Sequence, residues 1–435
     1  MKRLIVLNRY FFPDHSATSQ LLSDLMFYFA SAGVDVHVIT SRQLYDDPQQ
    51  QLPASAIERG VFVHRVSTTK FGRSGLPGRA IDYLSFYRSA YNLMRKLIEP
   101  GDGLVAMTDP PLCSILAMRA ARKKGARLVN WLQDIYPEIA VELGVPLFKG
   151  PIAFGVCYWR DRSLKAAAVN VVVGEGMAER LVKRGLTSAR IKVIHNWTDD
   201  TEIVPIPHKQ NQLRKLWGLE DKFVVGYSGN LGRAHEFDTI LAASERLRDD
   251  PRIIFLFLGS GHNLDKLANL VNSRRLAASF RFNPYQERAV LKHSLGVPDL
   301  HWLSLKPELE GLIVPSKFYG IAAAGRPIIA ITAADGEIAN LVRNHHCGRV
   351  IEPGESEKLA ATILELSRDP DKLATMGRNA RAMLDAQFTR RAALRRWCDV
   401  LGEVGITLDT SSVDCVPTFQ AIAPSADPFK KDSRR

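Results

Sequence analysis

The sequence predicts an α/β protein built from two doubly wound domains, and three observations carry that prediction. Apolar runs such as LIVLN (4–8), LVAMT (104–108), VNVVV (169–173) and IIFLFL (253–258) lack strict alternation, the pattern of parallel strands covered on both faces. Stretches with helical spacing separate these runs, so strand and helix alternate along most of the chain. A chain of 435 residues, 46% of them apolar, is also longer than a single core usually serves.

The first strand leads into the loop RYFFPDHSA and a helix from about 18 to 32, closed by Gly33. The strands VDVHVIT, VFVHRVS, LVAMT, RLVNWL, VNVVV and RIKVIHN complete a first domain over 1–200. Residues 201–222 are polar, contain Pro205 and Pro207, and read as a linker. A second series, KFVVGYSGN, RIIFLFLGSG, SFRFNPY, LHWLSL, RPIIAIT and CGRVI, makes a domain over 223–385. Its helices are expected at 236–248, 262–275, 286–295, 316–324, 336–345 and 355–367. Residues 370–403 read as helical throughout, and 409–435, rich in Ser, Asp, Pro and Lys, is expected to be disordered.

Composition removes several functions. No apolar run reaches eighteen residues and the amino terminus lacks a signal-peptide pattern, so a cytoplasmic protein is expected. Five cysteines without CxxC or Cys/His spacing argue against a disulfide framework or a zinc site. The net charge of +12 suits nucleic acid, an acidic membrane or phosphates. Without a helix-turn-helix, zinc finger or RNP-like strand, nucleic acid is disfavoured. From Lys70 to Lys96, six basic residues face one acid, Asp82, with aromatic and aliphatic residues between them. Two readings fit: a solvated helix with its apolar side on the core, or a helix docked on anionic lipid. Phe148 to Trp159 is a second candidate lipid-facing element.

Asn8 to Ser16 contains no glycine, and the second strand ends Ile39-Thr40-Ser41 without an acid, which argues against a dinucleotide-binding GxGxxG unit. The loop residues Asp14, His15, Ser16 and Thr18 either meet a sugar or phosphate or cap the following helix. In GYSGNLGRAHEFDTIL (226–241), Gly229, Asn230 and Gly232 allow close backbone approach to a phosphate, Arg233 offers two hydrogen bonds, and His235 follows. Lys317, just after Pro315-Ser316, adds a second cation. Gly259 in the GSG turn and Tyr285 after Asn283-Pro284 are strand-end positions where a nucleotide or structure alone could be served. Asp134 in NWLQDIYPE stands past a buried strand, where it could orient or deprotonate a hydroxyl or cap a helix. Asp109 after LVAMT marks a similar strand end, with Pro110 and Pro111 shaping the cleft wall; Glu138 falls inside the following helix, and Asp369-Pro370-Asp371 reads as a cap instead of a metal site.

Together RYFFPDHSATSQLLSDL, NWLQDIYPE, HNW (195–197), GYSGNLGRAHEFDTIL and EGLIVPSKFYGIAAAGRPIIA resemble the group-one, or family 4, glycosyltransferases of the GT-B fold over residues 1–403. The likeness is strongest to the branch that builds capsule, O-antigen and colanic-acid-like polysaccharides. It implies two Rossmann-like domains facing a central cleft and a helix at 386–403 returning to the first domain. It also implies retention at the anomeric carbon, with no metal or other cofactor. The donor, a UDP- or GDP-sugar, would be held by Gly229, Asn230, Gly232, Arg233, His235, Gly259, Tyr285, Glu310, Gly311, Leu312, Ser316 and Lys317. The acceptor would meet His15, Ser16, Thr18 and Asp134. The catalytic set would be Asp134, Arg233, Lys317 and Glu310. The family's Glu-x7-Glu motif is broken here: Leu312 and Gly320 stand at the two acidic positions, so Glu310 takes the sugar-contact role and no residue takes the ribose role.

The activity implied is transfer of a sugar to a polyprenyl-diphosphate-linked glycan by an enzyme held peripherally at the inner face of the cytoplasmic membrane, on an anionic lipid surface. A nucleotide-sugar epimerase or hydrolase of the same fold, or a noncatalytic nucleotide-sugar scaffold suggested by the broken motif, are the alternatives.

Overall fold

The computed structural model describes residues 2–45, 47, 49–72, 75–145, 150–261 and 263–406. The expected tail at 409–435, Arg73 of the basic stretch and Phe148 lie outside these residues. The chain divides into two compact units: one runs to Asn196 and takes in Gly311–Ile313 and the chain from Arg391, the other comprises Trp197–Glu310 and Val314–Arg390.

The first unit holds eight strands: β1 (Leu4–Leu7), β2 (Val36–Ser41), β3 (Ser55–Glu58), β4 (Val61–Val66), β5 (Gly103–Ala106), β6 (Arg127–Leu132), β7 (Val169–Val172) and β8 (Ile191–Val193). Their order is β3-β4-β2-β1-β5-β6-β7-β8, parallel except for β3, which pairs antiparallel with β4 at the edge. β3 is absent from the sequence expectation because SAIE is short, polar and half exposed, as suits an edge strand. The central strands β1, β5 and β7 are buried at every position, so helices must cover both faces. The helix Leu76–Leu97 buries Phe86, Ala90 and Met94 at four-residue spacing, which fixes its inward face. Asp82, the single acid of that stretch, is buried and not solvated, accepting hydrogen bonds from Thr69 Oγ1 (2.7 Å) and the Phe71 amide (2.9 Å).

The second unit holds β9 (Phe223–Ser228), β10 (Ile253–Leu258), β11 (Phe280–Asn283), β12 (Leu300–Ser304), β13 (Ile328–Ile331) and β14 (Gly348–Ile351), all parallel, in the order β11-β10-β9-β12-β13-β14. Each sheet reverses its winding once, at β1/β5 and at β9/β12, and ligands of doubly wound sheets bind at the carboxyl ends of the strands flanking that point.

The segment expected to be a linker is structured and belongs to the second unit. It contains a helix, Gln212–Leu216, capped by the Asn211 side chain. Its Arg214 guanidinium is buried against Asp299 (3.1 Å), and Leu213 and Leu219 pack with Val224 and Ile254, which explains why a polar, proline-containing stretch is ordered. The carboxyl-terminal helical stretch is two helices, Pro370–Gln387 and Arg390–Glu403, broken at Phe388 and Thr389. In the second of these Trp397 packs edge-on against Trp131 of β6 at 4.7 Å, a geometry worth about 1 kcal/mol beyond area burial.

Candidate functional site

In the second unit the site grows from two glycine turns at the ends of β9 and β10. The Gly229 amide donates to the Leu258 carbonyl (2.8 Å) and the Leu231 amide to Ser260 (2.8 Å), so the turns lie backbone against backbone. Gly229 has φ +124 and Gly259 φ +139. A Cβ on Gly259 would overlap the Gly229 carbonyl, and one on Gly229 would lie 2.8 Å from Lys317 Cε. The glycine-rich spacing is thus needed first for turn-to-turn and turn-to-lysine packing.

Lys317 opens the helix Lys317–Ala323 and reaches back to these turns. Its Nζ stands 2.9 Å from His235 Nε2 and 5.1 Å from the centre of the Tyr227 ring. It keeps some accessible surface but is so enclosed that desolvation lowers its pKa to about 7. His235 Nδ1 lies 2.6 Å from the Ser304 carbonyl at the end of β12. Burial, and then the charge of Lys317, hold His235 down at about 3, so it is neutral. Both ring nitrogens are therefore engaged within the protein, with His235 standing beside Lys317 as its hydrogen-bond partner.

Arg233 is exposed and has no hydrogen bond or ion pair among the described residues, so Lys317 and Arg233 are not joined by any contact. The backbone carbonyl of Asn230 accepts from the Tyr227 hydroxyl (2.9 Å) and that of Gly232 from Asn263 Nδ2 (3.0 Å). Tyr285 is 53% exposed after β11. Ser316 precedes the Lys317 helix without capping it. Glu310 is half buried, its carboxylate accepting from Thr332 Oγ1 and, at 3.4 Å, from the Glu337 amide; burial first, opposed by these bonds, raises its pKa. Gly311 and Leu312 fall with the first unit, and Leu312 is buried with its carbonyl bonded to the Ile135 amide (3.0 Å). The Leu312 side chain is therefore core. Gly320 is half exposed, and a Cβ there would meet only Leu295 at an ordinary 3.5 Å, so packing does not demand glycine.

In the first unit, the ends of β1, β5 and β6 bring together a different set. Asp134 keeps some accessible surface yet is enclosed, and burial, with the charge of Asp109 second, raises it to about 7. Asp109 is raised to about 6 by burial, opposed by Arg9. The Arg9 guanidinium lies over Tyr10 and Tyr83, 5.2 Å from each ring centre, and Tyr10 meets Tyr45 edge-on at 5.6 Å. The sequence marks Asp109 as a strand end like Asp134 without giving it a chemical role, and does not single out Arg9 or Tyr83. The available signal is that Asp109 and Asp134 follow the neighbouring parallel strands β5 and β6, of which β5 flanks the winding reversal. Asp14 braces the loop, accepting from the amides of Tyr45 (2.6 Å) and Ser16 (2.8 Å). His15 is exposed, Ser16 occupies the N-cap position without a side-chain cap bond, and Thr18 lies in the first turn of the helix Ala17–Ser31. Glu138 is bound to Arg160 and Arg184, both at 2.6 Å, which makes it a structural anchor.

Chemically, the second unit offers an enclosed amine without a carboxylate partner among the described residues, the first a cluster of tyrosines and carboxylates with raised affinity for protons. The two units also match two separate family models. Residues 209–383 match the family described as Glycosyl transferases group 1, and residues 19–202 match Glycosyltransferase Family 4. The chain is 24% identical over 376 residues to the putative colanic acid biosynthesis glycosyl transferase WcaI of Escherichia coli K12, covering 83% of this chain and 91% of that one. It is 26% identical over 299 residues to the probable glycosyltransferase WbjE of Pseudomonas aeruginosa, covering 68% and 73%. Anabaena Alr3699/HepE, solved in complex with UDP, has the same fold with a TM-score of 0.68 at 17% identity, over 92% of this chain and 99% of that one.

Proposed function

Because the chain belongs to the group 1 glycosyltransferases of the GT-B fold, we propose that it moves a sugar from a UDP- or GDP-sugar to a polyprenyl-diphosphate-linked glycan during assembly of a surface polysaccharide, with retention at the anomeric carbon. The observation that carries the donor half of this reading is Lys317, an amine enclosed against Gly229 and His235 at the winding reversal of the second sheet. Breaking the bond between sugar and phosphate leaves negative charge on the departing diphosphate, and a preorganised cation in a poorly solvated site stabilises it. Arg233, exposed and uncommitted, supplies a second cation once a donor is present. These two charges do the work a divalent metal does in other transferases, so no metal is required. Glu310 contacts the donor sugar. Gly320, for which packing gives no reason, lets the nucleotide approach the helix backbone where relatives of the family carry a glutamate.

On the acceptor side, Asp134 orients the attacking hydroxyl, and a carboxylate with a pKa near 7 can also accept its proton. The leaving phosphate is the alternative acceptor of that proton, on the same face of the sugar as the attack. His15, Ser16 and Thr18 line the acceptor approach. Contact with an anionic membrane is supported by the helix Pro151–Ala166, where Phe154 is 77% exposed, and where Arg162 and Arg119 sit over Trp159 at 5.6 and 5.3 Å. The chain would then work at the inner membrane face.

A panel of UDP- and GDP-sugars, assayed for nucleotide release with and without membrane lipid extract, tests this reading. One sugar released only when lipid extract is present is the expected result. Donor conversion independent of any acceptor would replace the transferase with an epimerase or hydrolase, and tight donor binding without turnover would replace it with a scaffold.

A further inference from the structure

Lys317 is an enclosed amine whose neighbours among the described residues are neutral groups. Among the described residues it pairs with no carboxylate, and burial is the single cause of its lowered pKa. Its neighbours are the His235 imidazole at 2.9 Å, the Tyr227 ring on β9 at 5.1 Å, and the bare backbone of Gly229, where a Cβ would come 2.8 Å from its stem. His235 is committed in turn to the Ser304 carbonyl, 2.6 Å from Nδ1. A carbonyl only accepts, so Nδ1 carries the hydrogen and Nε2 is left as an acceptor. Lys317 Nζ must therefore donate across the 2.9 Å contact, and it makes no second hydrogen bond among the described residues.

Three elements thus converge on one amine: β9 through Tyr227, the loop after β9 through Gly229 and His235, and the end of β12 through Ser304. Among the described residues, the titratable groups facing Lys317 are His235, held neutral at about 3, and Tyr227, pushed well above its ordinary range. Neither changes charge near neutral pH, so of these three groups the amine is the one that exchanges a proton there. An arriving diphosphate brings the counter-charge the cluster lacks and favours the ammonium form.

Resting on the donor reading above, we propose that His235 is a positioning residue that holds Lys317 for the diphosphate, and that a nucleoside diphosphate binds together with a proton taken up from solvent by Lys317. The proton adds to the amine lone pair, no bond to the ligand forms, and the proton returns to solvent when the nucleotide leaves. The Ser304 carbonyl acts at one remove, by fixing the imidazole tautomer.

Calorimetric titration of the full chain with UDP and with GDP, in pairs of buffers that differ in ionisation enthalpy, measures the proton directly. Wild-type protein should take up as much as one proton between pH 7 and 8.5, with affinity falling about tenfold per pH unit above about 7. In the Lys317→Arg protein the side chain stays charged, and only the ligand's own ionisation should remain. His235→Phe keeps a ring and removes the acceptor: binding should be near normal at pH 6 and more than tenfold weaker at pH 8, with His235→Gln, which retains an acceptor, recovering most of the loss. Nucleotide binding without proton uptake, or a His235→Phe deficit equal at both pH values, overturns the inference and leaves the donor reading standing. Failure of both nucleotides to bind at any pH overturns both. Should His235→Phe not fold, as judged by its melting profile, the paired-buffer result on wild-type protein decides alone.

Discussion

The two units enclose ionisable groups at the carboxyl ends of their parallel strands and give them opposite chemistry. By the β9/β12 reversal stands an amine whose pKa is lowered to about 7; past β5 and its neighbour β6 stand carboxylates raised to about 6 and about 7. The leading cause is the same in all three, desolvation, which disfavours whichever form is charged. A parallel scaffold therefore supplies the enclosure, and residue type decides whether the enclosed group awaits an anion or a proton. The difference also lies in the support. Lys317 lies against the bare backbone of Gly229, whereas Asp109 sits beside Arg9, which lies over Tyr10 and Tyr83.

The sharpest way to break this comparison is to remove the amine. Lys317→Met should lower nucleotide-release turnover at saturating donor by about a hundredfold or more, the scale of one preorganised charge donor. Turnover within threefold of wild type would mean that the enclosed amine does not serve the leaving group.

Replacing the carboxylate probes the other side. Asp134→Asn should reduce turnover about a hundredfold while the protein melts higher at pH 8. The sign follows from its raised folded pKa: the stability contribution of the protonated group is fully present below the unfolded value of about 3.9 and is lost as pH rises through about 7. The amide escapes that loss, so the gain should be about 2 kcal/mol at pH 8 after allowing for partial water access, shrinking toward pH 4. Equal melting temperatures at pH 8 would show that Asp134 is well solvated.

Gly229→Ala tests the glycine support. With φ +124 and a Cβ 2.8 Å from Lys317 Cε, the variant should lose about 1–2 kcal/mol in denaturant unfolding and bind donor about tenfold more weakly. Unfolding and binding unchanged together would remove the close approach from the account. Arg233→Ala, at an exposed position, should leave stability within about 0.5 kcal/mol and raise the donor KM several-fold. The smallest effect is expected at His15, exposed beside the first helix: His15→Ala should change kcat/KM for donor by less than about twofold, any loss appearing in acceptor KM.

Much of this was legible in the chain. Thirteen of the fourteen strands fall in segments that the sequence marks as strands, most plainly β1, β5, β10 and β13, because a strand buried on both faces has to be apolar at nearly every position. The exception, SAIE, is an edge strand whose pairing is decided by β4 and not by its own composition. The turn glycines and Lys317 were legible because few other residue types tolerate a positive φ or combine charge with that position after Pro315. His235 was visible as a residue of interest but not in its role, since a sequence does not say that Ser304, sixty-nine positions on, presents a carbonyl to its ring. For a related reason the sequence does not show that the Leu312 side chain is core, as its burial makes it.

The sequence by itself determined the succession of buried strands, the glycine turns and the types of ionisable group available, since these follow from hydrophobic periodicity and backbone sterics between near neighbours. Tertiary structure alone decided which of those groups became enclosed, that Asp109 ended beside Asp134, that the stretch at 201–222 is ordered by Asp299, and that His235 stands beside Lys317. Desolvation and hydrogen bonding act between residues tens of positions apart, and only the folded chain sets those distances.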